Sequence, residues 1–353
     1  MSHQHRYRTA FAATILGTAM LLAACSTPAS APAPAASTST QPSSASTASV
    51  ADTPGFTIPR KMPEGKGSTA KDGVFPRTVV HFQGQTTLDE APQKVVVIST
   101  GQADVLLTLG MVPAGSTSGD GADMIPPYLY QAFPKQKAAL EKVTYLGSRF
   151  APDIETIANI KPDLIVMNNA GKDAAALYTS LNAVAPTVAS QGTGLFWKQD
   201  FLLIADAIGK REAAETWLDT YHADATAFGE KVSGEPTVSF LRKNADRMRV
   251  FGVASFSGSV AEDNGLARPE SQQFTDETSV DISSEQLGQA DADWIFYGVQ
   301  GGKLTEITDQ SLWGTLKAVE AKQAVAVDDD IFYLNVGPTA ARGVLSALQD
   351  ALG

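Results

Sequence analysis

The chain has 353 residues, of which 38 are acidic and 27 are Lys or Arg, and its formal net charge is −11. A chain this acidic is not expected to bind nucleic acid, nor to bind anionic lipid headgroups through its folded part. Its one cysteine, Cys25, excludes an intramolecular disulfide and a cysteine-rich metal site. The length is sufficient for two lobes of ordinary domain size.

Residues 1–24 have the features of a signal peptide. Arg6 and Arg8 form a basic start, and the apolar run over residues 11–22 is too short for a stable membrane span. The run ends in Leu-Ala-Ala followed by Cys25, which resembles the lipobox of bacterial lipoproteins. This resemblance implies that Cys25 is acylated and becomes the first residue after cleavage. The alternative is an ordinary secretory signal with an incidental cysteine.

Residues 25–73 are predicted to be a flexible tether between the lipid anchor and the folded body. Residues 26–54 consist almost entirely of Ala, Ser, Thr and Pro, which leaves too little apolar mass for a core. Residues 59–71 are polar and rich in Gly, Pro and Lys, and we expect them to be mobile as well.

The first lobe, residues 74–209, alternates short apolar runs with helical patterns. Residues 78–88 alternate around Gly84, which predicts a hairpin. Residues 94–99 have the composition of a buried strand, and the residues after them repeat apolar side chains at helical spacing until Gly110. This order of elements predicts strand–helix units with a mostly parallel sheet.

The stretch over residues 145–169, YLGSRFAPDIETIANIKPDLIVMNN, is the most informative part of this lobe. Arg149 follows a short apolar run, and Pro152 and Glu155 have the positions expected in a first helical turn. The unbroken apolar run at residues 164–167 predicts a strand that is covered on both faces. The pattern therefore predicts an arginine at a strand end and an acid at a helix start.

A second stretch, residues 282–298, resembles the first when Glu285 is aligned with Glu155. Each acid opens a short helix, and an apolar strand follows, over residues 294–297 in the second case. Two ordinary strand–helix units could match in this way by convergence. The other interpretation is a two-lobed protein with an equivalent surface acid on each lobe, suited to a partner with two similar halves.

Residues 210–233 are predicted to link the lobes as one long helix. Between Arg211 and Lys231 there is no proline, and the one glycine, Gly229, lies near the end. A helix of about 20 residues spans about 30 Å, which is enough to cross between lobes. Residues 234–353 repeat the alternation of strands and helices. The predicted fold is therefore α/β, with two lobes of mostly parallel sheets joined by a single long helix.

Five stretches in this order resemble a known family. They are KVVVISTGQADVLLTLGMVPAG, YLGSRFAPDIETIANIKPDLIVMN, the helix at 197–209, TVSFLR, and SLWGTLKAV followed by a C-terminal helix. With these motifs, residues 78–353 resemble the bacterial iron-siderophore-binding lipoproteins, the substrate-binding subunits of ferric-siderophore ABC importers. Vitamin B12 and haem binders share that fold.

The resemblance implies a ligand cleft between the lobes, where strand ends and loops converge. It implies a lipid-anchored protein on the extracytoplasmic face of the cell membrane, which delivers a ferric siderophore to an ABC permease and its ATPase. We expect it to act as a monomer. A cobalamin or haem binder of the same fold is the alternative.

Several residues are expected at this cleft. Arg149 matches the arginine that meets the iron-coordinating oxygens in ferric hydroxamate binders, and a guanidinium offers planar, permanently charged donors. A surface ion pair is the alternative for Arg149, and pairing with Glu262 or Glu270 is the alternative for Arg242. The other residues expected to line the cleft are Arg242, Arg268, Trp197, Asn169, Lys172, Tyr297, Phe332 and Tyr333. The tyrosine that some hydroxamate binders carry after the strand at 164–167 is absent.

The resemblance also assigns a role to the two matched acids. In the resembled family, one glutamate from each lobe meets arginines of the two permease subunits. Glu155 and Glu285 are the residues that match this role. Each acid is equally well explained as a partner of its own helix dipole, and the two roles are compatible.

Two other classes of function are weighed against this one. An enzyme is not expected, because the body has only His81 and His222 and no serine in a Gly-x-Ser-x-Gly setting. A binder of a bare metal ion needs several His and carboxylate ligands in one place, and two separated histidines argue against it. We therefore predict no catalytic residues, no metal site and no cofactor.

Overall fold

The computed structural model describes residues 56–353 except Asp120 and Asp246. The signal peptide, the acylation of Cys25 and most of the tether lie outside the described residues and stay predictions. Among the helices that are described, none is long and apolar enough to cross a membrane.

The first lobe begins with a hairpin, as predicted, and continues as alternating strands and helices. Its elements are β1 (Arg77–His81), β2 (Gly84–Leu88), β3 (Val95–Val97), α1 (Gln102–Thr108), β4 (Gly115–Ser118), α2 (Pro127–Ala132), α3 (Lys137–Leu140), β5 (Thr144–Ser148), β6 (Ala151–Pro152), α4 (Ile154–Ile160), β7 (Leu164–Asn168), α5 (Ala174–Asn182), β8 (Thr187–Ser190) and α6 (Trp197–Ala207). Short 3₁₀ helices lie at Pro134–Gln136 and Gly194–Phe196.

The link between the lobes is α7 (Arg211–Gly229), one continuous helix of 19 residues. The second lobe contains β9 (Val238–Asn244), β10 (Arg247–Phe251), α8 (Phe256–Asp263), β11 (Ser279–Ile282), β12 (Trp294–Gln300), α9 (Thr305–Thr308), α10 (Lys317–Glu320), β13 (Ala324–Ala326) and α11 (Pro338–Leu352). It also has 3₁₀ helices at Glu270–Gln272, Ser284–Ala290 and Trp313–Thr315, and a π-helix at Asp330–Leu334.

Each lobe is built on one sheet. The first sheet has six strands in the order β6-β5-β4-β3-β7-β8, all parallel except β6. The second has five strands in the order β11-β10-β9-β12-β13, in which β10 runs against both of its neighbours and the rest are parallel. The predicted fold class, two α/β lobes with mostly parallel sheets, is confirmed.

The informative stretch folds for the reasons that its sequence suggests. Residues 164–167 are buried throughout, as a strand covered by helices on both faces must be. Asp153 caps α4, because its carboxylate accepts a hydrogen bond of 2.9 Å from the Thr156 amide. The helix ends at Ile160. The next residue, Lys161, has a left-handed backbone (φ 54°) and directly precedes Pro162.

The two lobes share a hydrophobic core. One cluster of buried side chains contains Val97 of the first sheet and Phe240 of the second. The same cluster includes residues of α1, α2, α3, α6, α7, α8 and α11. Asp104 of α1 also caps α11, since its carboxylate accepts hydrogen bonds of 3.0 Å from the amides of Thr339 and Ala340. The lobes are therefore joined by more than the linking helix.

Residues 59–71, expected to be mobile, are bound to the folded body over much of their length. Gly67 pairs with Val80 through two backbone hydrogen bonds of 2.8 and 2.9 Å. The amide and hydroxyl of Ser68 donate to Asp206 at 2.7 and 2.9 Å. Composition gave no sign of this, because the partners that satisfy these polar groups lie far away in sequence.

Candidate functional site

The carboxyl ends of the parallel strands in the two sheets face each other. Gly121, in the loop after β4, lies against the side chain of Gln300 at the end of β12. Gly101, between β3 and α1, lies so close to Val336 of the second lobe that a Cβ atom would be 2.9 Å from its amide nitrogen. Ligands of α/β proteins bind at this edge of the sheet. The space between the two edges is therefore the candidate ligand cleft.

A cavity of about 290 Å³ opens at the first-lobe wall of this cleft. Its lining includes two cationic residues, Arg149 and Lys172, one acid, Asp173, and the side chains of Phe150 and Asn168. The ring of Phe150 is 69% exposed, and the Arg149 guanidinium lies 4.1 Å from its centroid. The wall thus combines positive charge with an exposed apolar surface, which suits an anionic ligand that has an organic frame.

The turn between β5 and β6 projects Arg149 and Phe150 to this wall. Gly147 pairs with Pro152 and Ser148 with Ala151, so the turn between them is tight. The Arg149 amide donates to the Ser118 carbonyl at 2.7 Å, which fixes the turn to β4. The arginine predicted at a strand end is therefore held at the cleft edge by backbone hydrogen bonds.

The loop after β7 forms the other side of the cavity. Lys172 lies in it as predicted, and its side chain is exposed. Asn168 lines the cavity in place of its neighbour Asn169, which instead accepts a hydrogen bond from the side chain of Gln83. Asn169 is therefore beside the site and serves to hold the hairpin loop against it.

A larger groove, of about 390 Å³, lies beside α11. Its described wall is apolar apart from Asp328 and Asp350, and it lies along the edge strand β13. This wall presents carboxylates and no cation to an anionic ligand. The cavity at the facing strand ends, which has two cations in its wall, is therefore the better candidate for an anionic ligand.

Asp200 holds the loop that supports the cavity wall. Its buried carboxylate accepts hydrogen bonds of 2.8 Å from the amides of Gln191 and Gly192. Gly192, which has a positive φ of 83°, packs against Asn168. Burial raises the pKa of Asp200 to about 7, and the hydrogen bonds to its carboxylate oppose this increase.

The raised pKa of Asp200 makes the stability of the fold depend on pH. The native state binds this proton more tightly than the unfolded state, so the contribution is full in acid and is lost as pH rises through about 7. Asp200→Asn keeps the shape without titrating. Urea unfolding at pH 5 and pH 8 should show the wild type losing stability relative to this variant. The control is Asp309→Asn, which makes the same substitution at an exposed acid, and an equal difference between the two pH values in this control would contradict the assignment to Asp200.

Arg242 lies near the carboxyl end of β9, and its charge is compensated within the protein. Its Nε and Nη2 each donate to Asp329 at 2.7 Å, in a pair whose side chains are only 6% and 12% exposed. The partner is neither Glu262 nor Glu270, which were the acids considered from sequence. Asp329 lies in the loop before α11, and no local pattern in the sequence relates it to β9.

Sequence reasoning missed Arg249, which lies opposite Arg242 in the register of β9 and β10. Its guanidinium is half-buried and lies 5.5 Å from the ring of Phe251. Burial and then the charges of Arg242 and Arg247 lower its pKa. The sequence predicted a strand that begins at Arg249 and gave no sign that this residue lies next to Arg242. Its register beside Arg242 places a second guanidinium at this end of the sheet.

Arg268, the third expected donor, is instead packed inside the second lobe. Its Nη2 donates to the Phe251 carbonyl at 2.5 Å and to the Gln272 side chain at 2.6 Å, and its guanidinium lies over the ring of Phe240. Burial lowers its pKa to about 9. The arginine expected to face the ligand therefore turns inwards to these two acceptors.

Trp197 belongs to the shared core and does not face the cleft. It is 1% exposed, its indole donates to the Ser259 hydroxyl at 3.2 Å, and its ring meets those of Tyr221 and Phe256 edge-on. The sequence around Trp197, at the start of an amphipathic helix, is compatible with a buried or an exposed side chain. The side chain is buried because it lies between the two lobes.

The three aromatic residues expected from the second lobe also pack within it. Tyr297 meets Trp313 edge-on at 4.8 Å between ring centroids. Phe332 is 3% exposed and stacks on Phe296. The Tyr333 hydroxyl donates to the Phe296 carbonyl at 2.9 Å, which fixes the π-helix to β12. Phe332 is therefore a core residue and does not line the cleft, whereas Tyr297 and Tyr333 are half-buried and their role at the cleft stays a prediction.

Glu155 and Glu285 are both exposed. Glu285 follows β11, whose carboxyl end is at the cleft edge, and Glu155 follows β6, the short antiparallel strand that turns back from the carboxyl end of β5. Glu155 is in the first turn of α4. Glu285 is in the first turn of the 3₁₀ helix that Ser283 and Gln286 begin with reciprocal hydrogen bonds. A hydrogen bond from Ser283 lowers the pKa of Glu285. Each acid is therefore exposed in a first helical turn near the cleft edge of its lobe.

The two histidines of the body lie in different elements. His81 is in β1, where its Nε2 is 3.0 Å from the Thr86 hydroxyl, and burial lowers its pKa to about 4. His222 is in α7, 3.8 Å from Asp263. The described part of the chain contains no group of three or more His, Cys, Asp or Glu residues arranged to hold a metal ion.

Known proteins are similar in sequence to this chain over most of its length. YfiY of Bacillus subtilis, described as a probable siderophore-binding lipoprotein, is 30% identical over 77% of this chain and 86% of its own. The Fe(3+)-citrate-binding protein YfmC of the same organism is 26% identical over 81% of this chain and 87% of its own.

Solved structures agree with the fold. Staphylococcus aureus SirA complexed with staphyloferrin B is 25% identical and has a TM-score of 0.67 over 78% of this chain and 98% of its own. The siderophore binding protein BauB, solved with acinetobactin and ferric iron, has a TM-score of 0.64 at 22% identity and agrees in fold. The family model described as periplasmic binding protein matches residues 95–331. The chain therefore belongs to the periplasmic binding protein family.

Proposed function

We propose that this protein is the substrate-binding subunit of an ABC importer, which captures a ferric siderophore between its lobes and delivers it to a membrane permease. The observation that carries the proposal is the cavity at the facing strand ends, with Arg149 and Lys172 in its wall. Family membership supports it, as do relatives named for binding siderophores and ferric citrate.

The charge of the cavity wall agrees with this ligand. A ferric siderophore already supplies the oxygen ligands of its iron, so the protein needs donors to those oxygens and no metal ligands of its own. A guanidinium offers several donors in one plane, and Lys172 adds a mobile positive charge. Arg249 is the candidate donor on the second lobe.

Arg149→Ala should weaken the binding of the ferric siderophore by about 1.5–3 kcal/mol, the usual contribution of a hydrogen bond to a charged group. Calorimetric titration against a panel of ferric carboxylate, catecholate and hydroxamate siderophores measures this loss. Lys142→Ala, which removes an exposed charge elsewhere on the first lobe, is the matched control and should bind normally. Wild-type affinity in Arg149→Ala would remove this residue from the site.

A cobalamin or haem ligand is the alternative within the same fold. The protein purified from cells distinguishes these cases, since each ligand has its own absorption spectrum. We further propose that the protein has no enzymatic activity. Unchanged siderophore recovered after prolonged incubation would support this assignment, and steady conversion would contradict it.

We also propose that the protein acts as a monomer, anchored through acylated Cys25 to the extracytoplasmic face of the cell membrane. The relatives described as lipoproteins support the anchor. Glu155 and Glu285 are proposed to contact the permease, which works with its ATPase. Their positions on the rims of both lobes support this role.

A further inference from the structure

Residues 60–72, which we call the strap, are attached to the first lobe at several points. Ser68 is bound to Asp206 near the end of α6, as described above. Asp72 caps the linking helix, because its carboxylate accepts hydrogen bonds of 2.8 and 3.0 Å from the amides of Arg211 and Glu212. The strap therefore holds both the first lobe and the start of α7.

The strap also reaches the second lobe. The Arg60 guanidinium lies 3.1 Å from Oδ1 of Asp263, the last residue of α8. Asp263 has a fully buried side chain that also forms an ion pair of 2.5 Å with Lys198 of α6 and accepts a hydrogen bond of 3.1 Å from Tyr221 of α7. One carboxylate of the second lobe is thus held by the first lobe, the linking helix and the strap.

Both attachments lie on the side away from the cleft. In the first lobe, the strap is bound to Asp206 and Arg211. Lys210, which lies between these two residues, donates to the carbonyl of Leu109, and Leu109 lies between the end of α1 and the start of β4. In the second lobe, the chain leaving α8 pairs with Thr237 at the amino end of β9. The cleft lies at the carboxyl ends of the same sheets. The strap therefore crosses from lobe to lobe along the edge opposite the ligand.

We propose that the strap is a restraint on lobe movement, which ties the back edges of both lobes together through Ser68 and Arg60. Rotation that opens or closes the cleft must change the separation of these back edges. A segment bound to both edges opposes that change, and removal of either attachment releases it. The inference does not depend on the identity of the ligand.

The test measures the distance between the lobes. Spin labels are attached at Ala158→Cys in α4 and at Gly288→Cys in the 3₁₀ helix Ser284–Ala290 of the second lobe. The full chain also carries Cys25→Ser, and double electron–electron resonance measures the distance between the two labels. Both positions are exposed, and a Cβ at Gly288 meets no other atom. The variant is Arg60→Gln. Its control is Lys61→Gln, which removes the same charge from the adjacent exposed residue.

Arg60→Gln should broaden the distance distribution, because the lobes then sample more orientations, while Lys61→Gln should leave it unchanged. Adding Ser68→Ala to Arg60→Gln should broaden it further. Distributions that are unchanged in Arg60→Gln and in the double variant would overturn the proposal. Equal broadening in Lys61→Gln would also overturn it, since the effect would then follow net charge and not the contact with Asp263.

Discussion

The variant with both Glu155→Ala and Glu285→Ala is expected to bind its ferric siderophore as the wild type does and to lose most siderophore-dependent iron uptake. Both acids lie on exposed rims and outside the cavity wall, so ligand affinity and folding should change little. In the proposed docking, loss of both acids removes one contact to each half of the permease. Uptake of radiolabelled iron by cells that lack the native gene measures the effect, and single variants should show milder losses.

The matched control is Glu141→Ala with Glu320→Ala, which removes one exposed acid from each lobe away from the rims. This variant should take up iron normally. The difference in iron uptake between the wild type and the variant with both Glu155→Ala and Glu285→Ala should become smaller as ionic strength rises. Salt screens the ionic contacts of the wild type, which the variant has already lost. Wild-type uptake by the rim variant would show that the matched acids are only two similar helix starts.

Asp263→Ala is expected to lower the free energy of unfolding by about 3–5 kcal/mol, the usual cost of leaving a buried charge without its partner. The substitution leaves the ammonium group of Lys198 buried and takes the acceptor from the Tyr221 hydroxyl. Urea unfolding followed by circular dichroism measures the difference. Loss of less than about 1 kcal/mol would show that the ion pair contributes no more than an exposed one.

The destabilisation by Asp263→Ala should depend on pH. Burial already lowers the pKa of Lys198, and loss of the carboxylate removes the main opposing effect. The folded variant then binds fewer protons than its unfolded state, so its stability rises with pH. A double variant, Lys198→Met with Asp263→Leu, removes both charges and should recover much of the loss.

The fold could be predicted because short sequence patterns specify its helices and strands. The run at residues 164–167 and the acids at the start of α4 indicate their structures within a few residues. The position of Arg149 directly after a strand was predictable for the same reason. The resemblance to siderophore binders supplied the order of the lobes and the position of the cleft.

The rest of the site depends on contacts between distant residues. Arg242 is held by Asp329, 87 residues later, and Trp197 is buried by Phe256 and Ser259 of the other lobe. Composition likewise could not reveal that Ser68 is bound to Asp206, 138 residues away. Whether such a polar or aromatic residue faces the ligand or the core is decided by packing between lobes, which no short pattern encodes.

The shared core affects how a permease can recognise a loaded protein. Separating lobes that pack around one core exposes apolar surface, at a cost of about 25 cal/mol for each Å². The empty and loaded forms should therefore have nearly the same outline. The difference that remains available to the permease is then local, namely the atoms of the bound ligand that are exposed between the two lobes.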